Sequence, residues 1–213
     1  MLEPRARKIA HTTQKHRKRR VDNYHWMRLS DEQKDAGRKD ESASDVLSYI
    51  DQENAYTASV LKGTKKIQSA RFKEITGRVK KDDELIPYKH NGYWYITKLG
   101  KGKEYPVYYR KKGSLKARPE LLLDVNKLAK GHDFFDLDFS GMEVSPDNGT
   151  MAYSVDTLGR RNYEIVFVDI STGNEIGKRI EMTDGSAVWA NDSRTVFYIK
   201  NDPVTLLGDR VYR

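Results

Sequence analysis

The order of apolar and polar positions divides the chain into two regimes. Over residues 1–43 the apolar residues come as short islands, such as Tyr24, Trp26 and Met27, within dense charge interrupted by Pro4 and Gly37. This stretch reads as a mostly extended arm, with Tyr24 and Trp26 anchoring it to a larger body. From Ser44 the spacing changes. Val46, Tyr49, Ile50, Glu53, Thr57, Val60 and Leu61 recur at steps of three and four, which stripes one face of an α-helix over 44–62. Ser44 is the expected N-cap, Asp45 lies in the first turn and Gly63 is the expected stop. The striped face predicts docking on other protein, with Leu47 and Ile50 buried. A second helix is predicted over 65–77, with Ile67, Phe72 and Ile75 inward and Gly77 closing it.

After Lys81 the period switches to two. Residues 86–99, IPYKHNGYWYITKL, read as strand, Asn91-Gly92 hairpin turn and aromatic strand, because that dipeptide enters the positive φ angles a tight hairpin needs. Residues 105–112 and 120–125 are a third and fourth strand, making one four-stranded meander, and 126–131 read as a connector. A second unit runs MEVSPDNGTMAYSVD and then NYEIVFVDISTGNEIGKRIEM, with a hairpin turn at Ser171-Thr172-Gly173-Asn174. A third unit opens at SAVWANDSRTVFYIKND, and Val211-Tyr212-Arg213 begins its next strand.

The second and third units repeat each other without a gap. Asp147 falls on Asp192, Thr150 on Thr195, Met151 on Val196 and Tyr153 on Tyr198, an interval of 45 residues. Short antiparallel strands, four to a unit at this period, are the pattern of β-propeller blades. The Ser-Pro-Asp and Ala-Asn-Asp turns would join strands within a blade, and Met151, Tyr153, Val196 and Tyr198 would face neighbouring blades. The expected fold is therefore mainly β with N-terminal α-helices: an arm and two helices over 1–80, then an incomplete propeller of about two and a half blades over 81–213. Propellers close with roughly 4–8 blades, so the count predicts that these residues are part of a longer protein.

Composition agrees with a lean core: 37% of the 213 residues are hydrophobic and 33% charged, with mean hydropathy −0.81. No run reaches the ~18 apolar residues of a membrane span and no signal-peptide core stands at the N-terminus, so a cytoplasmic location is expected. The absence of cysteine excludes a disulfide framework and any thiolate nucleophile or metal ligand. The net charge of +8 is concentrated early, where Arg5, Arg7, Lys8, Lys15, Arg17, Lys18, Arg19, Arg20 and Arg28 face only Glu3 and Asp22 before residue 29.

Catalytic patterns are missing. The chain has no Gly-x-Ser-x-Gly elbow, P-loop, dinucleotide glycine motif or His-Glu-x-x-His. His11, His16, His25, His90 and His132 lack metal-ligand spacing, with His90 on a hairpin loop. The acidic sets Asp82-Asp83-Glu84 and Asp136/Asp138 lie in loop-like stretches and read as solvated, although Asp82-Asp83 could cap the first blade. No catalytic, cofactor-binding or metal-binding residue is expected.

Longer segments carry a resemblance. HRKRRVDNYHWMR (16–28), VLSYIDQENAYTASVL (46–61), GYWYITKLGKGKEYPVYYRKKGS (92–114), LLLDVNKLAKGH (121–132) and VSPDNGTMAYSVDTLGRRNYEI (144–165) together resemble the oligopeptidase B branch of the prolyl oligopeptidase family of serine peptidases. The order and spacing match from about residue 4 onward. The resemblance implies a seven-bladed propeller capping an α/β-hydrolase domain, onto which the arm and helices wrap. It also implies cleavage of short peptides after Arg or Lys by a Ser-Asp-His triad in that C-terminal domain. No triad residue maps onto this chain. Two departures are visible. The family more often has a glycine and an acidic residue after the histidine where this chain reads His16-Arg17-Lys18. Relatives also tend to carry acidic residues before the tyrosine of GRRNY, where they can pair with the catalytic domain. Arg160 and Arg161 would remove or reverse such a pair.

Two functional readings stand on the sequence. The first is the N-terminal propeller region of an oligopeptidase B-like endopeptidase, inactive by itself. Its partners would be short basic peptides, the hydrolase domain, and further copies through uncovered blade faces; neither a membrane nor a cofactor is expected. The second is a basic β-rich binding module contacting nucleic acid or acidic partners through residues 5–20.

Overall fold

The computed structural model describes residues 2–213, without the side chains of 139–141. The chain forms two compact units, Met1–Val79 and Lys80–Arg213.

In the first unit the arm is more structured than its composition predicts. Strands β1 (His11–Lys15) and β2 (Lys18–Asp22) pair as an antiparallel hairpin. Its two-residue turn puts His16 at φ 53° and Arg17 at φ 61°, and Lys15 directly opposite Lys18. The polar chain closes this ribbon because ladder hydrogen bonds need no apolar face. Trp26 anchors the arm as expected. Its indole N–H donates to the Arg7 carbonyl at 2.9 Å, the Arg7 guanidinium lies 4.7 Å from its ring centroid, and its ring meets Tyr49 edge-on at 6.3 Å. Tyr24 stays exposed.

A short helix α1 (Asp31–Ala36) follows, closed by a reciprocal Ser30–Gln33 capping box. Helix α2 (Glu41–Val60) starts three residues before the predicted onset. Asp40, not Ser44, is its cap: the carboxylate accepts from the Ala43 N–H at 2.8 Å and places negative charge at the helix N-terminus. Ala43 and Val46 are buried and Leu47 half-buried, whereas Ile50, Val60 and Leu61 remain exposed. Helix α3 (Lys65–Arg78) runs through Gly77. Its Ile67, Phe72 and Ile75, predicted inward, are 64%, 69% and 64% exposed. The inward expectation therefore fails, since no described element covers them.

The second unit holds two open antiparallel sheets. Strands β3 (Asp83–Glu84), β4 (Tyr88–His90), β5 (Tyr93–Leu99), β6 (Val107–Lys112) and β7 (Glu120–Asp124) form the first, in the order β3-β5-β6-β7 with β4 also on β5. Asn91 at φ 44° and Gly92 at φ 82° make the predicted hairpin turn. The expected connector begins as one helical turn, α4 (Val125–Leu128), capped by Asp124. Strands β8 (Asp136–Val144), β9 (Thr150–Asp156), β10 (Tyr163–Asp169), β11 (Ile180–Trp189), β12 (Val196–Asn201) and β13 (Gly208–Tyr212) form the second, in reverse sequence order.

The boundary expected between units two and three falls inside a continuous strand. The first part of β11 pairs with β10 through Ile180 and Thr183, and Ala187–Trp189 pairs with β12. Met182 at φ 61° and Gly185 at φ 96° bend the strand between them. The register of β8 against β9 shifts after Asp138, and that of β11 against β12 after Thr183. These positions are 45 apart, so the repeat extends to the bulges.

The core follows the two-residue period. Met151, Tyr153 and Val155 pack with Tyr95, Tyr108 and Leu123 of the first sheet. Ala152 and Ile165 pack instead with Ala187 and Val196, flanked by Trp189 and Tyr198. Met151, Tyr153, Val196 and Tyr198, the apolar positions aligned by the repeat, therefore each pack against the preceding unit. No helix among the described residues is long and apolar enough to cross a membrane.

Candidate functional site

The chemistry-bearing residues noted in the sequence do not converge. His16 stands at the β1–β2 tip, His90 ends β4 rather than lying in the loop, and His132 tilts against Phe135 with centroids 5.8 Å apart. His11 and His25 do meet, stacked at 3.7 Å with planes 6° apart, and His25 Nδ1 is 3.9 Å from Asp22. Stacked rings present their nitrogens sideways, not toward a shared centre. Among the described residues no group of three His, Cys, Asp or Glu side chains can hold a metal ion. Asp83 accepts from the Lys80 ammonium at 2.6 Å and, with Glu84, forms β3, which extends the first sheet. Asp136 and Asp138, expected in a loop, stand in β8. Asp136 accepts from the Tyr163 hydroxyl at 2.7 Å. Burial, and then that bond to a carboxylate, push the Tyr163 phenol well up.

Two polar clusters do form in the second unit. The first surrounds the repeated turns. Asp147 accepts from Ser145 Oγ at 2.6 Å and from the Gly149 N–H at 3.0 Å. Asp192 accepts from the Arg194 and Thr195 N–H groups at 2.9 and 2.8 Å. Asn148 and Ser193 occupy equivalent left-handed positions, φ 64° and 58°. The Asp147 N–H donates to Ser193 Oγ at 3.0 Å. On the other side, Asn91 Nδ2 donates to the Pro146 carbonyl at 2.6 Å. Arg110, only 5% exposed, donates to Glu120 at 2.8 Å and to the Asn148 carbonyl at 3.0 Å, with its guanidinium 4.2 Å from the Tyr93 centroid. Each side of the turn is thus tied to a neighbouring unit.

Sequence reasoning missed Arg110. Its one signal is phase, since it shares the inward face of β6 with Tyr108. The hairpin turn expected at Ser171-Thr172-Gly173-Asn174 forms, and its recurrence at 202–207 was missed. The Asp169 and Asp202 carboxylates accept from Thr172 and Thr205 N–H groups, and the backbone pairs Asp169 with Asn174 and Asp202 with Leu207. Leu206 at φ 57° takes the place of Gly173 at φ 73°.

The second cluster lies where strands end. Asp156, buried, accepts from the N–H groups of Leu158, Gly159 and Arg161 at 2.8, 3.0 and 2.7 Å. Arg161 thus shapes this loop through its backbone and keeps its side chain exposed. Thr183 Oγ1 donates to the Tyr163 carbonyl at 2.9 Å, and Asn201 Nδ2 to the Thr183 carbonyl at 2.9 Å. These networks satisfy backbone groups at turns and bulges. Ser145 donates to a carboxylate in a turn, an arrangement that orients backbone and activates no nucleophile.

Comparison with known proteins matches this architecture. The model of the prolyl oligopeptidase N-terminal β-propeller domain matches residues 4–213. A dipeptidyl aminopeptidase BI from Pseudoxanthomonas mexicana is 36% identical over 211 residues, covering 92% of this chain and 28% of the relative. Protease 2 from Moraxella lacunata is 26% identical, covering 95% and 28%. The structure of oligopeptidase B from Leishmania major superposes with a TM-score of 0.79 at 29% identity, covering 98% of this chain and 30% of that one. The chain therefore spans little more than a quarter of the length of these relatives. Over residues 4–213, in fold and in sequence, it belongs to the prolyl oligopeptidase family through that family's N-terminal propeller domain.

Proposed function

We propose that this chain is the propeller part of a cytoplasmic serine peptidase of the oligopeptidase B type, which admits short peptides to a hydrolase domain cutting after Arg or Lys. The collinear likeness to Leishmania major oligopeptidase B across 98% of the chain supports this reading. By itself the chain is silent, because hydrolysis needs a nucleophile, a positioned base and an oxyanion hole, and its polar clusters supply turns instead. A second reading follows from the 36% identity to a dipeptidyl aminopeptidase: release of dipeptides from free N-termini.

One experiment separates these readings. The purified chain is expected to leave a dibasic fluorogenic peptide uncut above a buffer blank. Addition of a hydrolase domain from a relative is expected to restore cleavage of the N-terminally blocked peptide. Cleavage of only the unblocked peptide selects the dipeptidyl reading. Turnover by the chain alone, free of contaminating protease, overturns its silence. Salt-dependent retention on DNA would favour a binding module built on residues 5–20.

A further inference from the structure

Between the two sheets of the second unit lies a pocket of about 210 Å³ that none of the turn networks uses. Tyr88 and His90 of β4, Tyr95 of β5 and Glu143 of β8 line it, with the partly buried Met142 and Val144 supplying apolar surface. Tyr88 and Tyr95 stack with centroids 5.1 Å apart and planes at 12°, and the His90 ring is 6.5 Å from Tyr95. Tyr95 is 7% exposed, and its hydroxyl is buried without a hydrogen-bond partner. The Arg110 side chain acts on that hydroxyl, so recognition by this pocket rests on ring faces and on Glu143.

Glu143 is the acidic group of the pocket and His90 the lining group that can carry positive charge. Among the described residues Glu143 makes no ion pair, and burial pushes its carboxyl up while His90 acts the other way. Burial, and then the Glu143 charge, push the Tyr88 phenol up. Arg110, the cation beside Tyr95, is already committed to Glu120 and to the Tyr93 ring. Aromatic faces attract cations through the ring quadrupole, and a carboxylate at the same opening adds direct attraction.

We propose that this pocket binds the cationic side chain of a peptide, an arginine or lysine, with its aliphatic stem on Met142 and Val144 and its charge between the Tyr88–Tyr95 pair and Glu143. The site holds peptide without cutting it. Its occupancy is independent of where the hydrolase domain cleaves.

The test is ligand-observed NMR on the 213-residue chain, at a pH where imidazole is neutral. The probes are N-acetylargininamide and its neutral isostere N-acetylcitrullinamide. Saturable binding of the arginine probe is expected, with the citrulline probe about tenfold weaker or more. Glu143→Gln is expected to remove most of that preference, Tyr88→Ala to weaken binding severalfold and Tyr88→Phe to preserve it. Circular dichroism matching the parent keeps the variants interpretable. Equal affinity for the two probes, an unchanged preference in Glu143→Gln, or no binding by the folded chain would overturn the proposal. A chain that binds arginine amide while the reconstituted enzyme cuts elsewhere would leave this site standing and refute the Arg/Lys cleavage reading alone.

Discussion

The Asp147 N–H donates to Ser193 Oγ at 3.0 Å, joining residues 46 positions apart in two repeated turns. Ser193 is the repeat equivalent of Asn148, so one blade's turn is held by the next copy of itself. Ser193→Ala removes the acceptor and is expected to lower stability by about 0.5–1 kcal/mol, the usual worth of one hydrogen bond. Chemical denaturation checks this. No change would mean that water replaces the hydroxyl without loss.

Acid should act on the same turns. The Ser145 hydroxyl, and then the Gly149 N–H, hold the Asp147 carboxyl below its ordinary value of 3.8. The Arg194 and Thr195 N–H groups do the same for Asp192. A carboxylate depressed on folding contributes stability that is present above its unfolded pKa and lost as pH falls through the folded value. Stability is therefore expected to decline below about pH 4, and Asp192→Asn to flatten that part of the curve. An Asn variant with the full acid slope would contradict the assignment.

Alkali reports on the core. Burial pushes the Tyr153 phenol up to about 12, and that of Tyr108 also to about 12. Here the protonated form is favoured by folding, so the contribution is complete below pH 10 and lost as pH rises toward 12. Spectroscopic titration should show late phenolate formation coincident with unfolding. Early, reversible ionisation of every tyrosine would show that these phenols are wet.

Backbone strain gives the most local tests. Arg17 sits at φ 61° in the β1–β2 turn. Arg17→Gly is expected to stabilise the chain by about 0.5–1 kcal/mol, because a side chain in the left-handed region costs about 1–2 kcal/mol. Gly185 is the reverse case. Its φ is 96°, and a Cβ there would lie 2.4 Å from Asp138 Oδ2. Gly185→Ala is expected to cost about 2–4 kcal/mol through strain and overpacking. Thermal or denaturant unfolding of the two variants, with opposite signs, is the measurement.

Exposed apolar surface sets the behaviour of the isolated chain. Ile67, Phe72 and Ile75 on α3 and Val188, Phe197 and Val211 on the second sheet all face solvent. Such surface marks interaction sites and, uncovered, aggregation. The purified chain is expected to bind a hydrophobic dye and to self-associate as concentration rises. A monomer in analytical ultracentrifugation with a sharp thermal transition above about 60 °C would refute this.

The sequence by itself determined most strands of the second unit, most of its hairpin turns and the 45-residue repeat, because these are local. Alternation selects a strand's face, Asn91-Gly92 enters positive φ readily, and Asp147 and Asp192 bond their own backbone a few residues on. It also carried the family through blocks such as ENAYT and YPVYYRKKGS. Spacing could propose Ile67, Phe72 and Ile75 of α3 as inward, but whether anything covers them is decided by packing and not by local pattern. Likewise Arg110 is one more basic residue in YYRKK until Glu120, Asn148 and Tyr93 surround it. The continuity of β11 across two units, the contact between Asp147 and Ser193, and the meeting of Tyr88, Tyr95 and Glu143 in one pocket were decided only by tertiary structure. Each joins groups far apart in the chain, and no local preference encodes a distance between strands until the sheets have packed.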